Sequence, residues 1–339
     1  MIYFDVTKAG RSGHRSGLMR VSARLADGLK PGPTEVSWSD WARGVKPDDW
    51  FFTGELFSEE ERPGFSDFLT AHRCRTAAIF HDAIPLRHPQ ITWPQSVARH
   101  PGYMKLLARF DRIWAVSEAS RADLLGFWRW QGVTNTPPVE VLALGADFNA
   151  KPRVTAPPAA ARPPVLLCVG IVEPRKNQSF LLDVGEELWA GGLAFELHVV
   201  GRVNPHFGAP IVTRMTALRK KYSGLHFHEA ADDATVARLY ATARATVFPT
   251  LAEGCGLPLI ESLWMGLPCV CSDLPVLREN ADGGGCLAVA PNDRGAWAGA
   301  LRQILTDDEL HARLAQAATT RSLPTWAAAA ETIRRALAA

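Results

Sequence analysis

Short apolar runs alternate with amphipathic helical patterns along most of this 339-residue chain. Most of the runs span four to six residues without polar alternation, which is typical of parallel strands covered on both faces. They occupy residues 2–6, 50–53, 76–80, 112–116 and 139–142 in the first half, and 165–169, 195–200, 225–228, 245–248 and 269–272 in the second. Helical patterns such as 16–29 and 103–110 lie between them. The alternation predicts two doubly wound, Rossmann-like α/β domains.

A proline- and alanine-rich segment separates the two sets of runs. Residues 150–164 contain five prolines, a composition that favours an extended spacer and cannot continue a helix. We therefore predict an N-terminal domain at 1–150, a linker at 151–164 and a C-terminal domain at 165–339, with the last helix free to pack back on the first domain. Each sheet offers its ligand crevice at the carboxyl ends of its strands, so the chemistry is expected there.

Composition and charge narrow the function classes. Hydrophobic residues make up 47% of the chain, and 37 basic side chains nearly balance 35 acidic ones. This composition is typical of a globular protein, and the small net charge disfavours nucleic acid as a partner. The six cysteines fit neither a zinc knuckle nor a disulfide framework. Because no apolar membrane span or leader pattern is found, we expect a cytoplasmic protein, with peripheral membrane contact and oligomeric state left open.

The most specific motif is residues 250–266, TLAEGCGLPLIESLWMG. A predicted strand leads into Glu253, two glycines and a helix whose first turn holds Pro258. Glycines let a backbone approach a ligand closely, and the helix start directs its free N–H groups at whatever the loop holds. The loop therefore favours a diphosphate. Glu261 lies on the same helix, eight positions after Glu253.

A second motif, VGIVEPRKN at residues 169–177, places two cations at the carboxyl end of a strand. Arg175 and Lys176 stand just before a predicted helix, where cations oppose the helix dipole unless an anion lies between them. The pair therefore indicates the same diphosphate. No Asp-x-Asp sequence occurs in the chain, so we expect no metal and no other cofactor.

Two features of the first half also lie at strand ends. The run at 76–80 leads into His81, which alone is as often structural as functional. The first run leads into a glycine- and serine-rich loop, and a helix starts near Ser16 and Gly17. The basic residues of this loop are interpreted either as solvated or as contacts to an acceptor or a phosphate: Arg11, His14 and Arg15.

Together these motifs resemble family 4 of the retaining GT-B glycosyltransferases, whose two Rossmann-like domains face a central cleft. The resemblance implies that Glu253 contacts the hydroxyls of the donor sugar and that Glu261 contacts the nucleotide ribose. It implies that Arg175 and Lys176 hold the leaving pyrophosphate, and that His81 reaches across the cleft to the donor sugar.

Further donor contacts follow from the same resemblance. They are expected at Gly170, Arg202, Gly254, Cys255, Gly256 and Leu257. Arg202 is included because Ile171 occupies the place of an additional arginine in one form of the family pattern.

The beginning of the chain resembles bacterial polysaccharide mannosyl- and rhamnosyltransferases in its Asp-Val-Thr opening and its helix start, with Leu18 in place of isoleucine. The resemblance implies acceptor or phosphate contacts at Ser16 and Gly17. It also implies a retaining, metal-independent transfer of a hexose from a sugar nucleotide to a saccharide or lipid-linked saccharide. GDP-mannose is the expected donor, with dTDP-rhamnose and UDP-hexoses as alternatives. A nucleotide- or dinucleotide-binding protein without glycosyl transfer is the rival hypothesis, although the G-x-G-x-x-G spacing of an NAD site is missing.

Two other patterns receive a structural interpretation. His226 and His228 alternate on a predicted strand and share one face, but the sequence places no third ligand nearby, so no zinc site is predicted. The cluster of Trp128, Arg129 and Trp130 is interpreted as packing, with contact to lipid headgroups as the alternative.

Overall fold

The computed structural model describes residues 1–9, 17–39, 45–148, 152–156 and 163–338. They form two compact units, Met1–Gly145 with Pro324–Ala339, and Ala146–Leu323. Residues 151 and 157–162 of the predicted linker lie outside the described residues, as do Ser16 and the loop that precedes it.

The first unit contains a six-stranded sheet whose strand pairs are all parallel, in the order β2-β1-β3-β4-β5-β6. Its strands are β1 (Ile2–Asp5), β2 (Thr34–Val36), β3 (Trp50–Thr53), β4 (Arg75–Phe80), β5 (Arg112–Ala115) and β6 (Val139–Val141). Its helices are α1 (Gly17–Leu29), α2 (Phe65–Ala71), α3 (Ile84–Arg87), α4 (Pro94–Leu107), α5 (Glu118–Trp130) and, from the end of the chain, α13 (Trp326–Ala338).

The last helix, α13, packs on α1. A Cβ atom added at Gly28 of α1 would lie 2.8 Å from the Cβ atom of Ala330, so the two helices touch without an intervening side chain. Arg334 donates to the carbonyl oxygen of Gly28 at 3.0 Å. Chain from both ends of the sequence therefore completes the first unit.

The second unit contains another six-stranded parallel sheet, in the order β12-β11-β10-β7-β8-β9. Its strands are β7 (Val165–Val169), β8 (Glu196–Val200), β9 (Leu225–His228), β10 (Ala245–Phe248), β11 (Cys269–Ser272) and β12 (Cys286–Val289). Its helices are α6 (Gln178–Ala190), α7 (Ala209–Lys221), α8 (Asp233–Thr242), α9 (Leu257–Trp264), α10 (Pro275–Ala281), α11 (Arg294–Thr306) and α12 (Asp308–Thr320).

The order of strands in the second sheet fixes where a ligand can bind. Strands β8 and β9 follow β7 on one side, whereas β10, β11 and β12 extend the sheet on the other. Adjacent parallel strands whose following loops leave in opposite directions open a crevice at their carboxyl ends. That crevice lies beyond Val169 of β7 and Phe248 of β10.

The doubly wound α/β class predicted from the alternation is confirmed, with two corrections. Among the described residues each sheet has six strands, not the five predicted. Edge strand β2 is a mostly exposed three-residue strand, and edge strand β12 is the apolar run CLAV at 286–289, which was not counted as a strand. The helix predicted at 103–110 was wrong in its bounds. It begins at Pro94, whose missing N–H costs nothing at a first helical position, and it ends at Leu107.

The two tryptophans around Arg129 have different surroundings. Trp128 is buried, and its indole N–H donates to the carbonyl oxygen of Met104 at 2.7 Å. Trp130 is exposed. Among the described residues, no helix combines the length and hydropathy needed to cross a bilayer.

Candidate donor site

Two glycines bring the loops after β7 and β8 into contact. A Cβ atom at Gly201 would lie 1.9 Å from the carbonyl oxygen of Gly170, so only glycine allows the two backbones to pass. Beyond this crossing, the N–H of Val172 donates to the carbonyl oxygen of Arg202 at 2.8 Å. The loop after β7 is therefore held at the edge of the sheet before it reaches its two cations.

A short 3₁₀ turn, Pro174–Lys176, carries these cations to the loop after β10. The carbonyl oxygen of Arg175 accepts from the N–H of Leu251 at 2.8 Å, and Oγ1 of Thr250 lies 3.1 Å from the same oxygen. Because the two loops are joined through their main chains, side chains 77 residues apart in sequence meet in a fixed arrangement.

The centre of this arrangement is the carboxylate of Glu253. Its Oε1 atom accepts from Nζ of Lys176 at 2.5 Å, from Nη1 of Arg175 at 3.1 Å and from Oγ1 of Thr250 at 2.7 Å. The side chains of Glu253 and Lys176 are only 8% and 10% exposed, and that of Arg175 is 21% exposed. We call Arg175, Lys176, Thr250 and Glu253 the cation cluster.

Burial and neighbouring charges have opposing effects on the pKa values of the cluster. Burial raises the pKa of Glu253, but Lys176 and Arg175 outweigh this effect and hold the pKa below its usual range. Burial is also the main cause that lowers the pKa of Lys176, and the neighbouring Arg175 lowers it further against the attraction of Glu253. The side chains of Arg175 and Lys176 thus share one carboxylate oxygen in a site largely closed to water.

Three polar residues that the sequence analysis missed hold the cations in place. The carboxylate of Glu173 accepts from Nε of Arg175 at 3.0 Å and from Nδ2 of Asn204 at 2.8 Å. The fully buried Gln178 donates to the carbonyl oxygen of Ile171 at 2.9 Å. Glu173 lies inside the VGIVEPRKN motif, but its contact with Asn204 depends on chain that is distant in sequence.

The glycine turn before α9 is shaped by its surroundings. Gly256 has φ 81°, and a Cβ atom there would lie 2.5 Å from Cδ2 of Leu277, so the position requires glycine on both counts. The side chain of Asn280 donates to the carbonyl oxygen of Cys255, which fixes the turn just before the helix starts at Leu257.

The remaining predicted donor contacts surround this turn. Burial raises the pKa of the Cys255 thiol to about 12, so the thiol is neutral at physiological pH. Gly254 is partly buried, and Glu261 is buried on α9. Arg202 is exposed at the carboxyl end of β8, and among the described residues it forms no ion pair. The structure thus brings Arg175, Lys176 and Glu253 into direct contact.

In the first unit, His81 follows β4 and is 5% exposed. Its Nε2 atom lies 2.7 Å from the carbonyl oxygen of Gly54, and because a carbonyl only accepts, Nε2 carries the proton. Burial lowers the pKa of His81, which favours the neutral ring. Nδ1 of the neutral ring is then an acceptor suited to a ligand hydroxyl.

A buried charge network lies at the start of the loop after β1. Arg62 pairs with both Asp5 and Glu55, and all three side chains are at most 1% exposed. Glu55 also accepts from the main-chain N–H groups of Lys8 and Ala9 at 2.8 to 2.9 Å. The network anchors the main chain of Lys8 and Ala9. Gly17, at the start of α1, is exposed. The network could not be predicted from the sequence, because its members come from three separate segments.

The expectation that no third ligand lies near His226 and His228 was wrong. Strand β8 places His198 and Glu196 beside them, with Nδ1 of His198 3.0 Å from Nε2 of His228. The sequence of one strand does not indicate this cluster, because the cluster depends on β8 and β9 being neighbours.

One comparison with known proteins concerns this same part of the chain. Residues 163–307 match the family model described as Glycosyl transferases group 1, a segment that includes the whole cation cluster. The chain is 33% identical over 231 residues to the serotype-specific mannosyltransferase WbdA of Escherichia coli. This alignment covers 63% of this chain and 28% of that protein. It is 25% identical over 253 residues to the O-antigen chain mannosyltransferase B of Escherichia coli, and this alignment covers 71% of this chain and 64% of that protein. The chain therefore spans less than two thirds of the length of both relatives.

Similarity to a solved structure extends over the whole chain. Sucrose-phosphate synthase from Thermosynechococcus elongatus superimposes with a TM-score of 0.73 at 18% identity, covering 99% of this chain and 97% of that one. At this level of identity the likeness concerns the fold alone.

Proposed function

We propose that the protein is a retaining, metal-independent mannosyltransferase of cell-surface polysaccharide synthesis, because residues 163–307 match the glycosyl transferases group 1 model. The observation that carries this proposal is the cation cluster. It lies at the crevice between β7 and β10, within the segment that the family model matches.

Arg175 and Lys176 are proposed to hold the diphosphate of the donor. Breaking the bond between the sugar and the nucleotide places negative charge on the leaving phosphate, and preorganised cations in a site closed to water stabilise that charge strongly. The α9 helix start adds main-chain N–H groups to the same loop. No divalent cation is required in this scheme, because the side chains supply the positive charge.

Glu253 is proposed to exchange partners when the donor binds. Its Oε1 atom holds both cations before the diphosphate arrives. As the phosphate oxygens attract Arg175 and Lys176, the carboxylate becomes available to accept from sugar hydroxyls. Hydrogen bonds to a charged acceptor are strong, and they strengthen further as positive charge develops on the sugar ring.

Retention follows if the acceptor hydroxyl attacks from the face that the diphosphate leaves. An oxygen of the departing phosphate then accepts the hydroxyl proton, so no protein side chain has to act as the base. Neutral His81 is proposed to accept from a donor hydroxyl through Nδ1, since its Nε2 proton is held by Gly54.

The identity of the donor and acceptor rests on the relatives. Two of them are named as mannosyltransferases, and one of these as acting on the O-antigen chain. We therefore propose GDP-mannose as the donor and a saccharide or lipid-linked saccharide as the acceptor, at the cytoplasmic side of the membrane. Exposed Trp130 beside Arg129 is available for contact with lipid headgroups.

A donor panel tests the proposal. The protein is incubated in excess EDTA with GDP-mannose, dTDP-rhamnose or UDP-glucose and with mannose-terminated oligosaccharides, and released nucleotide is measured. GDP should be released fastest, only with acceptor present, and NMR of the product should show the anomeric configuration of the donor.

Three results would contradict parts of this function. Inverted product overturns retention, and activity that EDTA abolishes overturns metal independence. Thermal stabilisation by NAD, with no release of nucleotide from any donor, would instead favour the dinucleotide-binding protein.

A further inference from the structure

Four titratable side chains cover one face of β8 and β9, and we call them the histidine cluster: Glu196, His198, His226 and His228. The parallel register places His198 opposite His226, so their side chains share a face of the sheet. The alternate positions Leu197 and Val199 are fully buried in the apolar core. A doubly wound sheet normally buries apolar residues on both faces, so a face with four titratable side chains is unusual in this fold.

Three atoms of the cluster converge. Oε2 of Glu196 lies 2.9 Å from Nε2 of His198 and 3.8 Å from Nε2 of His226, and the three ligand atoms all lie within 4.8 Å of one another. Ligands at zinc bond lengths of about 2.1 Å in a tetrahedral site are about 3.4 Å apart. Small side-chain rotations therefore suffice to place all three around one ion.

His228 supplies the contact that orients a metal-binding histidine. Its Nε2 atom lies 3.0 Å from Nδ1 of His198, the ring nitrogen that faces away from Glu196. Histidine ligands commonly donate their second ring N–H to a neighbouring acceptor, which fixes the tautomer and the ring direction. The side chains of His226 and Glu196 are 36% and 33% exposed, so an ion can reach the site from solvent.

We propose that Glu196, His198 and His226 bind a divalent transition-metal ion such as Zn²⁺, with a water molecule as the fourth ligand. Two imidazoles and one carboxylate suit Zn²⁺ and Co²⁺, whereas Mg²⁺ and Ca²⁺ prefer oxygen ligands. The site lies on β8 and the outermost strand β9, and none of its ligands belongs to the cation cluster. It is therefore independent of the proposed glycosyl transfer.

Metal titration of the full chain tests the site. Protein stripped with EDTA and then freed of it is titrated with Zn²⁺ in competition with a chromophoric indicator, and with Mg²⁺ as a comparison. We expect one Zn²⁺ per chain that excess Mg²⁺ does not displace. The variants His226→Asn and Glu196→Gln should each weaken this binding by at least tenfold, and His228→Gln by roughly 10- to 100-fold.

Two controls separate this site from other zinc binders and from misfolding. His206→Asn removes an exposed histidine of the same unit and should bind as the unaltered protein does. Co²⁺ should give a spectrum without thiolate charge transfer, because none of the proposed ligands is a cysteine. This control is needed since the protein also has six free cysteines. Glu196→Gln retains an acceptor for His198, so its melting temperature without metal reports whether the fold survives.

The proposal fails if no Zn²⁺ binds at micromolar concentration, if both ligand variants bind as tightly as the unaltered protein, or if the Co²⁺ spectrum shows thiolate ligation. In the first case the cluster is a metal-free hydrogen-bonded chain from Glu196 through His198 to His228.

Discussion

Nζ of Lys176 and Oε1 of Glu253 lie 2.5 Å apart although 77 residues separate them in the sequence. They meet because β7 and β10 are paired in the sheet, so the loops at the carboxyl ends of these strands are neighbours. In the proposed reaction a donor diphosphate competes with Glu253 for the same cations. The carboxylate therefore affects nucleotide binding and turnover in opposite directions.

The substitution Glu253→Gln tests this competition. We expect kcat to fall by about 100-fold or more, the scale of losing a charged group that acts in the transition state. The free nucleotide diphosphate should bind at least as tightly as before, because the cations no longer have a competing carboxylate. Initial rates give kcat, and calorimetry gives the nucleotide Kd. Glu309→Gln alters an exposed carboxylate of α12 and is the matched control, with no effect expected on kcat or the nucleotide Kd. Weaker binding of the free nucleotide would contradict the exchange of partners.

Removal of either cation should weaken both binding and catalysis. Arg175→Ala and Lys176→Ala are each expected to lose roughly 2 to 4 kcal/mol of transition-state stabilisation, measured as kcat/KM for the donor. The double variant should lose less than the sum, since both cations act on one diphosphate. Lys220→Ala removes an exposed cation of α7 and should have no effect. Unchanged nucleotide affinity and kcat in both single variants would rule out the diphosphate site.

Much of the fold, and the loops that carry the candidate donor site, could be predicted because the relevant patterns are local. Short apolar runs indicated ten of the twelve strands among the described residues, and glycines, prolines and charges next to those runs indicated the loops after β7 and β10. The match at 163–307 to the glycosyl transferases group 1 model supports their resemblance to GT-B glycosyltransferases, and the superposition over the whole chain confirms the fold.

Features that depend on strand neighbours could not be predicted in the same way. The contact of Glu173 with Asn204 and the histidine cluster both join segments about 30 residues apart. Edge strand β2 has only three residues and is mostly exposed, so burial leaves no pattern in its sequence. Composition and periodicity describe one segment at a time, whereas these features require the order of the strands.

The crossing of Gly170 and Gly201 predicts a severe effect of one methyl group. In Gly201→Ala the new Cβ would overlap the carbonyl oxygen of Gly170, and main-chain atoms cannot move aside without breaking the pairing of β7 with β8. We expect the free energy of unfolding to fall by about 3 kcal/mol or more, at the upper end for overpacked positions. Gly299→Ala is the control, because a Cβ there meets no atom within 4 Å and helix α11 favours alanine. Urea unfolding of both variants provides the comparison, and equal stabilities would show that the loop can open at little cost.

Glu261 shares a motif with Glu253 but should act at a different stage of the reaction. It is buried on α9, and a hydrogen bond from a nucleotide ribose to its carboxylate would be made about equally in the ground state and the transition state. Glu261→Gln should therefore raise the KM for the donor and weaken the free nucleotide by roughly tenfold, about the 1.5 kcal/mol expected for a hydrogen bond to a charged group, with a smaller effect on kcat.

The comparison with Glu253→Gln makes this last prediction specific. Calorimetry with the nucleotide diphosphate and initial rates are measured on both variants, and the melting temperature of Glu261→Gln shows whether the buried substitution preserves the fold. If Glu253→Gln weakens the bare nucleotide while Glu261→Gln leaves it unchanged, the two roles are reversed. The loop between β10 and α9 would then hold the nucleotide through Glu253, and the cation cluster would have to release Glu253 to the ribose.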